Sequence, residues 1–123
     1  MTAHDNPLGL DGFEFVEFTS PDPQAMADLF EKMGFTHLGN HVSKNVRHYA
    51  QGDINFILNM EPAGQAADFR HAHGPSANGM AFRVAEAKQA LGMAIERGAT
   101  AVETPRGPGE IDIPAIEGIG GSY

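Results

Sequence analysis

The sequence predicts an α+β fold made of two tandem copies of one unit, each with the order strand, helix, strand, strand, strand. Two observations support this prediction. Each copy opens with an aromatic strand and a helix ended by a glycine, and corresponding positions lie 64 residues apart, Gly34 with Gly98 and Phe18 with Phe82. Self-similarity at a fixed spacing indicates a structural repeat. We therefore expect the 123 residues to form a single domain of two units.

The first unit is expected at about residues 12–61. Residues 12–19 alternate aromatic and polar side chains, which is typical of a strand. Ser20 to Pro23 supplies an N-cap oxygen and a proline at the first helical position, so a helix should begin there. Gly34 is expected to end that helix. Helical spacing predicts an apolar stripe of Met26, Leu29, Phe30 and Met33.

The rest of the first unit is predicted to be strands. Phe35 to Leu38 begins one strand, and the next two strands are expected at Val46 to Gln51 and Ile54 to Asn59. These two strands flank the dipeptide Gly52-Asp53, which suits a two-residue hairpin turn. The first unit therefore ends in a β-hairpin.

A connector is expected over residues 62–77, with one helical turn around Ala66 to His71. The second unit should then occupy about residues 78–123. It opens with a strand at Gly79 to Ala85, followed by a helix from about Glu86 to Arg97. The predicted apolar stripe of that helix consists of Leu91, Ala94 and Ile95, with Ala87 as a small partner.

The end of the second unit is predicted to be incomplete. Strands are expected at Thr100 to Thr104 and at Glu110 to Ile113, joined by a turn at Pro105 to Gly109. The glycine-rich segment Gly118 to Gly121 is expected to be a bulge or turn leading into the last strand. That last strand is truncated, because the sequence ends there, and its neighbour would keep unpaired backbone groups.

Composition excludes several classes of function. Eight basic and sixteen acidic residues give a formal charge of −8, and the arginines are scattered, so nucleic acid is not an expected partner. The absence of cysteine excludes disulfides and thiolate sites. No apolar run approaches the roughly 20 residues of a membrane-spanning helix, and the first residues carry no apolar signal core. We expect no membrane partner and a cytoplasmic location.

Several short patterns stand in order along nearly the whole chain. They are Asn6-Pro7, Gly12-Phe13-Glu14-Phe15, Met33-Gly34-Phe35, Ser43-Lys44-Asn45-Val46, Gln51-Gly52, Glu61-Pro62, His73-Gly74-Pro75-Ser76, Gly79-Met80-Ala81-Phe82-Arg83-Val84, Pro114-Ala115-Ile116 and Gly118-Ile119-Gly120-Gly121. By their number, order and spacing the chain resembles the amino-terminal domain of the bacterial 4-hydroxyphenylpyruvate dioxygenases, which belong to the vicinal oxygen chelate superfamily. In that superfamily paired units form a curved mixed sheet around a cupped site.

This resemblance implies a function for the longer protein. Members of the family convert 4-hydroxyphenylpyruvate and oxygen to homogentisate and carbon dioxide in tyrosine catabolism. Their iron(II) is held by two histidines and one glutamate in the second domain. The resemblance therefore implies a structural and subunit-contact role for this chain. Its implied partners are the carboxy-terminal catalytic domain and other copies of the same protein in a homo-oligomer.

The resemblance also implies that this chain binds no iron and holds no catalytic or cofactor-binding residue. The positions equivalent to the family's metal ligands fall on Glu17, or on Glu14 if the register slips, and on Gly79. The third position lies beyond Tyr123. Glycine has no side chain that could bind a metal, so these positions are expected to be vestigial.

Five histidines are weighed as alternative metal ligands. His71 and His73 would point the same way in an extended segment but would diverge on a helix. His37, His41 and His48 lie on or near strands of the first unit and could meet in the cup. For both groups the interpretation as ordinary polar surface residues is stronger, because partly exposed elements carry polar residues at alternate positions.

Glu14 and Glu17 are three residues apart in a strand, so strict alternation places them on opposite faces. This placement argues against a cooperating acid and base pair. One carboxylate is expected to face solvent. The other is expected in the cup, either hydrogen-bonded or paired with Arg83 on the neighbouring strand.

Two further functions remain open at this point. The related hydroxymandelate synthase uses the same substrate, and the residues that would distinguish it line the catalytic half. A stand-alone, metal-free small-molecule binding protein of the same superfamily is the alternative from another class.

Overall fold

A computed structural model describes residues 5–103, 110 and 113–123, and it confirms the α+β class. No helix within those ranges is long and apolar enough to cross a membrane. The elements in chain order are β1 (Leu10–Thr19), α1 (Pro23–Lys32), β2 (Thr36–Asn40), β3 (Val46–Gln51), β4 (Ile54–Asn59), α2 (Gln65–His73), β5 (Ser76–Val84), α3 (Ala87–Glu96), β6 (Ala101–Val102) and β7 (Ala115–Ile116). A short 3₁₀ turn follows at Ile119–Gly121.

The main sheet is mixed and has the strand order β2-β3-β4-β1-β5. β1 runs parallel to β4 and antiparallel to β5, so the opening strands of the two units pair with each other. The β3–β4 hairpin is confirmed at the predicted residues, and Gly52 adopts the positive φ of 57° that its turn requires. β6 and β7 form a separate two-stranded ladder.

The first helix begins and ends at the predicted signals. The Asp22 Oδ1 atom accepts a hydrogen bond from the Ala25 backbone N–H at 3.2 Å, which caps the helix, and Pro23 is its first residue. Gly34, with φ of 96°, follows the last turn in the left-handed conformation.

The hydrophobic core lies between α1 and one face of the sheet. Phe30 is 2% exposed, and its ring centre lies 5.2 Å from those of Phe18 and Phe56 and 5.3 Å from that of Tyr49. Aromatic rings at these separations gain specific edge and face contacts beyond their burial. The buried apolar residues of this core are Ala27, Phe30, Phe35, Tyr49 and Leu58.

The predicted buried face of α1 is wrong for two of its four residues. Leu29 and Met33 are about half exposed, whereas Ala27 is buried and Met26 packs on the core beside Phe30. The small Ala27 side chain lets the helix approach the sheet closely. Counting only large apolar residues therefore displaced the predicted face.

The stripe of α3 shows the same displacement. Ala90 is its one buried residue, whereas Ile95 is 44% exposed and Ala87 is also exposed. Leu91 and Ala94 are half-buried, as the stripe requires.

The connector holds a longer helix than predicted, because α2 spans nine residues instead of one turn. Its amino acids carry no clear apolar period, and contacts with other elements hold the helix in place. The Arg70 guanidinium donates to the Glu61 carbonyl at 2.7 Å and to Thr19 Oγ1 at 3.2 Å. Arg70 thus ties α2 to the end of β1.

The later strands of the second unit are shorter than predicted. The strand expected at Thr100 to Thr104 is present only at Ala101–Val102, and its partner lies at Ala115–Ile116. Glu110 and Ile113 belong to no strand. The predicted turn at Pro105 to Gly109, together with residues 104, 111 and 112, lies outside the described residues.

Tyr123 contacts the outer edge of β5. Its backbone N–H donates to the Asn78 carbonyl at 3.2 Å, and its backbone oxygen accepts from the Met80 N–H at 3.0 Å. These two bonds join Tyr123 to the residues on either side of Gly79, which is the hydrogen-bond pattern of two parallel strands. The turn expected after Gly118 is present at Ile119–Gly121, and it brings the chain alongside β5.

The aromatic core yields a first prediction. Replacing Phe30 with alanine (Phe30→Ala) should lower the free energy of unfolding by about 3–5 kcal/mol, because it opens a cavity among four rings. Leu29→Ala on the exposed side of the same helix should cost less than about 1 kcal/mol. Urea unfolding followed by circular dichroism measures both. Equal losses for the two variants would contradict this placement of the core.

Candidate functional site

The face of the sheet that is turned away from α1 forms the cup. Phe18 and Leu58 pack on the α1 side, so their neighbours Glu17 and Ile57 project on the cup side. The register joins Ile57 to His48 on one side and Glu17 to Gly79 on the other. One row across four strands of the cup therefore carries His48, Ile57, Glu17 and Gly79.

Glu17 is held by side-chain amides. Its Oε2 atom accepts hydrogen bonds from Asn59 Nδ2 at 3.3 Å and from Asn78 Nδ2 at 2.5 Å. The Asn59 amide has a fixed orientation, because its Oδ1 accepts the Glu61 backbone N–H at 3.0 Å. The half-buried carboxylate is thus bonded to donors from β4 and β5.

Asn78 connects this carboxylate to α2. It is fully buried and occupies a register shift between β1 and β5. Its Nδ2 also donates to Gln65 Oε1 at 2.9 Å, and Gln65 Nε2 donates to the Asn78 carbonyl at 2.7 Å and to the Gly121 carbonyl at 2.9 Å. Asn78 Oδ1 is buried and has no hydrogen-bond partner among the described residues.

Gly79 faces Glu17 directly. A Cβ atom at this position would lie 3.7 Å from the Glu17 Cβ and 3.7 Å from the Tyr123 backbone oxygen, which are ordinary contacts. The groups that bond to the Glu17 carboxylate are two side-chain amides, and Gly79 has no side chain. In the part of the chain that the structure describes, no three His, Asp or Glu side chains gather in a way that could hold a metal ion.

Glu14, and not Glu17, pairs with Arg83. Arg83 Nε donates to Glu14 Oε2 at 2.6 Å, and both side chains are about half exposed. The hydrogen bond that Glu14 accepts, and then its negative charge, raise the pKa of the Arg83 guanidinium above its usual value. A register shift between Phe13 and Phe15 interrupts the alternation on which the opposite-face argument relied.

The candidate pair His71 and His73 lies on α2, where positions two apart diverge. His73 Nε2 donates to the Gly120 carbonyl at 3.1 Å, and its ring centre lies 4.3 Å from that of Phe69. His73 therefore contacts the turn after Gly118 and does not share a ligand with His71.

The three histidines of the first unit each bond to nearby groups. His37 Nε2 contacts Asn40 Oδ1 at 2.8 Å, and His48 Nε2 contacts Asn55 Oδ1 at 2.7 Å. His41 Nδ1 accepts two backbone N–H groups of the following loop, both at 3.1 Å. His41 and His48 line one open depression of about 360 Å³, together with Phe15 and Ile57. His37 does not line it.

Sequence reasoning found Glu17 and Gly79 but missed the amide groups around them. Asn59, Asn78 and Gln65 come from β4, β5 and α2, and amide side chains have no spacing that marks a site. The one signal in the sequence was the four-residue spacing of Gln65, Phe69 and His73. That spacing places the three side chains on one side only if α2 is recognised as a helix.

Two strand–helix units that pair through their first strands around a cup define a domain of the vicinal oxygen chelate fold. The comparison with protein families identifies the kind of domain. The chain belongs to the family described as "Hydroxyphenylpyruvate dioxygenase, HPPD, N-terminal", whose model matches residues 4–123.

Individual relatives agree with this assignment. The chain is 50% identical over 119 residues to a 4-hydroxyphenylpyruvate dioxygenase of a Pseudomonas species (strain P.J. 874). The match covers 97% of this chain and 33% of that protein. The chain thus spans about a third of the length of this relative.

Solved structures show the same fold. A fusion of a xylose isomerase-like TIM barrel with a 4-hydroxyphenylpyruvate dioxygenase superposes with a TM-score of 0.84 at 34% identity, over 95% of this chain and 19% of that one. A mutant of 4-hydroxymandelate synthase from Streptomyces coelicolor gives a TM-score of 0.63 at 21% identity, over 78% of this chain and 32% of that one. The second likeness concerns the fold alone.

The geometry at Gly79 leads to a second prediction. Gly79→Ala should change the free energy of unfolding by no more than about 1 kcal/mol, because the added Cβ meets only ordinary contacts. Gly52→Ala is the matched control and should cost about 1–2 kcal/mol, since that residue has positive φ and open space around a Cβ atom. Urea titration of both variants measures the difference. A severe loss of stability in Gly79→Ala would contradict the prediction, because it would show that position 79 has no room for a Cβ atom.

Proposed function

We propose that this chain acts as the amino-terminal, non-catalytic domain of a 4-hydroxyphenylpyruvate dioxygenase, which forms homogentisate and carbon dioxide in tyrosine catabolism. The observation that carries the proposal is the extent of the match, which includes 97% of this chain but only 33% of the dioxygenase. The remaining two thirds of that relative have no counterpart in these 123 residues.

The iron of this enzyme is proposed to lie outside the chain. At the positions equivalent to the family's ligands, Glu17 is bonded to two amides and Gly79 has no side chain. Iron(II) sites of this class need two histidines and a carboxylate. These residues do not fit such a site, so no step of the reaction is assigned to them.

An architectural role suits the surfaces of the domain. Residues 1–123 are proposed to form one domain, with units at about 12–61 and 78–123 joined by a connector. Phe82 and Met80 are about half exposed on β5, whose outer edge has ladder bonds to Tyr123. We propose that this side of the domain faces the catalytic domain, and that further copies assemble with it in the cytoplasm.

Deleting this domain from the full-length dioxygenase tests the architectural role. The shortened enzyme should lose turnover of 4-hydroxyphenylpyruvate while it still binds iron(II), because the metal ligands lie in the other domain. Homogentisate formation and iron content per chain are the two measurements. Unchanged folding and activity would contradict the proposal, and 4-hydroxymandelate as the product of the intact enzyme would favour the synthase.

Titration of the 123-residue chain with iron(II) under anaerobic conditions tests the metal assignment. No stoichiometric site of micromolar or tighter affinity should be found, because one amide-bonded carboxylate is a poor ligand set. The full-length enzyme is the positive control. A tight site with one iron per chain would overturn the assignment.

A second candidate function is binding of a small molecule in the depression that Phe15, His41, His48 and Ile57 line. Its volume of about 360 Å³ favours this candidate, since small-molecule sites begin at about 300 Å³. A ligand that raises the melting temperature of the wild type but not of Ile57→Trp would support it.

A further inference from the structure

One face of α2 contacts the turn that leads to Tyr123. Gln65, Phe69 and His73 are spaced four residues apart, so they project from the same side of the helix. Gln65 Nε2 donates to the Gly121 carbonyl at 2.9 Å, and His73 Nε2 donates to the Gly120 carbonyl at 3.1 Å. The ring of Phe69 lies between these two contacts, next to that of His73 and near Gly121. We call these three side chains the α2 face.

The turn also has hydrogen bonds of its own, from the Gly118 N–H to the Ser122 carbonyl at 2.7 Å and from Ser122 to the Ile119 carbonyl, but it buries little apolar surface. Ile119 is 94% exposed, and Gly120 and Gly121 both have positive φ, at 66° and 89°. Glycine in such conformations loses more conformational entropy on ordering than other residues do. A segment with little apolar burial of its own takes its order from the neighbours that bond to it. Among the described residues, the side chains that bond to the carbonyls of Gly120 and Gly121 come from α2, while β5 bonds to Tyr123.

The α2 face also reaches the cup. Gln65 bonds at the same time to the turn and to Asn78, and Asn78 bonds to the Glu17 carboxylate. The Asn78 carbonyl that accepts from Gln65 is the one that accepts from the Tyr123 N–H. A continuous series of hydrogen bonds therefore runs from Glu17 through Asn78 and Gln65 to the turn.

We propose that the α2 face and Glu17 act as positioning residues that fix Tyr123 opposite Gly79 on the edge of β5. In this arrangement the side chains around Glu17 and Gly79 set the direction and register in which Tyr123 pairs with β5. The proposal concerns the described residues alone and does not depend on the dioxygenase activity.

Native-state hydrogen exchange of the 123-residue chain, followed by NMR, tests the proposal. The reporter is the Met80 amide, which donates to Tyr123. Gln65→Glu keeps the side-chain shape but replaces both donors with a carboxylate, and His73→Ala removes one donor. Each should speed exchange of the reporter by about fivefold to tenfold, the effect expected for losing one or two hydrogen bonds. His71→Ala on the same helix is the control and should change it less than about twofold.

The contribution of Glu17 is tested with a control on the same strand. Glu17→Gln should speed exchange of the Met80 amide by about threefold or more, because it weakens the charged bond to Asn78. Glu14→Gln, which removes the exposed pair with Arg83, should leave the reporter unchanged. The amides of Tyr49 and Leu58 report the stability of the core in every variant.

Two results would overturn the proposal. One is an unchanged Met80 amide in both Gln65→Glu and His73→Ala. The other is equal acceleration of the Met80, Tyr49 and Leu58 amides, which would show loss of global stability. If Gln65→Glu does not fold, His73→Ala decides between these results, because His73 is an exposed residue outside the core.

Discussion

The antiparallel pairing of β1 with β5 is the constraint on which the rest of the structure depends. β1 also pairs in parallel with β4, so a single strand belongs to the sheet of the first unit and to the junction with the second. The pairing register between β1 and β5 shifts at three places, and two of these shifts decide which side chains meet. One shift places Glu14 beside Arg83, and another lets the buried Asn78 reach Glu17. A bulge leaves one residue out of the ladder and redirects its side chain.

The sequence was sufficient to predict the elements whose ends carry local capping or turn signals. The cap at Asp22, the proline that follows it and the glycine at position 34 locate α1, and Gly52 with Asp53 locates the hairpin. Such signals act within a few residues, so no tertiary information is needed. α2 was underestimated because tertiary contacts hold it, such as the bonds of Arg70 to the ends of β1 and β4. The buried faces of α1 and α3 were displaced because alanine, which permits close packing, carries a weak hydrophobic signal.

Only part of the candidate site could be predicted from the sequence, because tertiary contacts bring its other residues together. The family resemblance pointed to Glu17 and Gly79 as the positions equivalent to the family's metal ligands, and the structure places these residues opposite each other. The partners of Glu17 could not be predicted, because Asn59, Asn78 and Gln65 come from three different elements. Strict alternation also failed at Glu14, since a bulge changes the side to which a residue projects. Bulges leave no reliable trace in a single sequence, yet here they decide which glutamate pairs with Arg83.

The hydrogen bonds of Glu17 stabilise the arrangement of side chains in the cup. A hydrogen bond to a charged group is worth about 1.5–3 kcal/mol, and the carboxylate accepts two of them from side-chain amides. A metal ion bound there would have to displace both donors, and Gly79 would offer no ligand in return. The amides would then lose a charged acceptor in a partly buried place, which adds a further cost. These hydrogen bonds join β1, β4, β5 and α2, so the residues around Glu17 hold the two units together, while the buried Asn78 Oδ1 has no partner among the described residues.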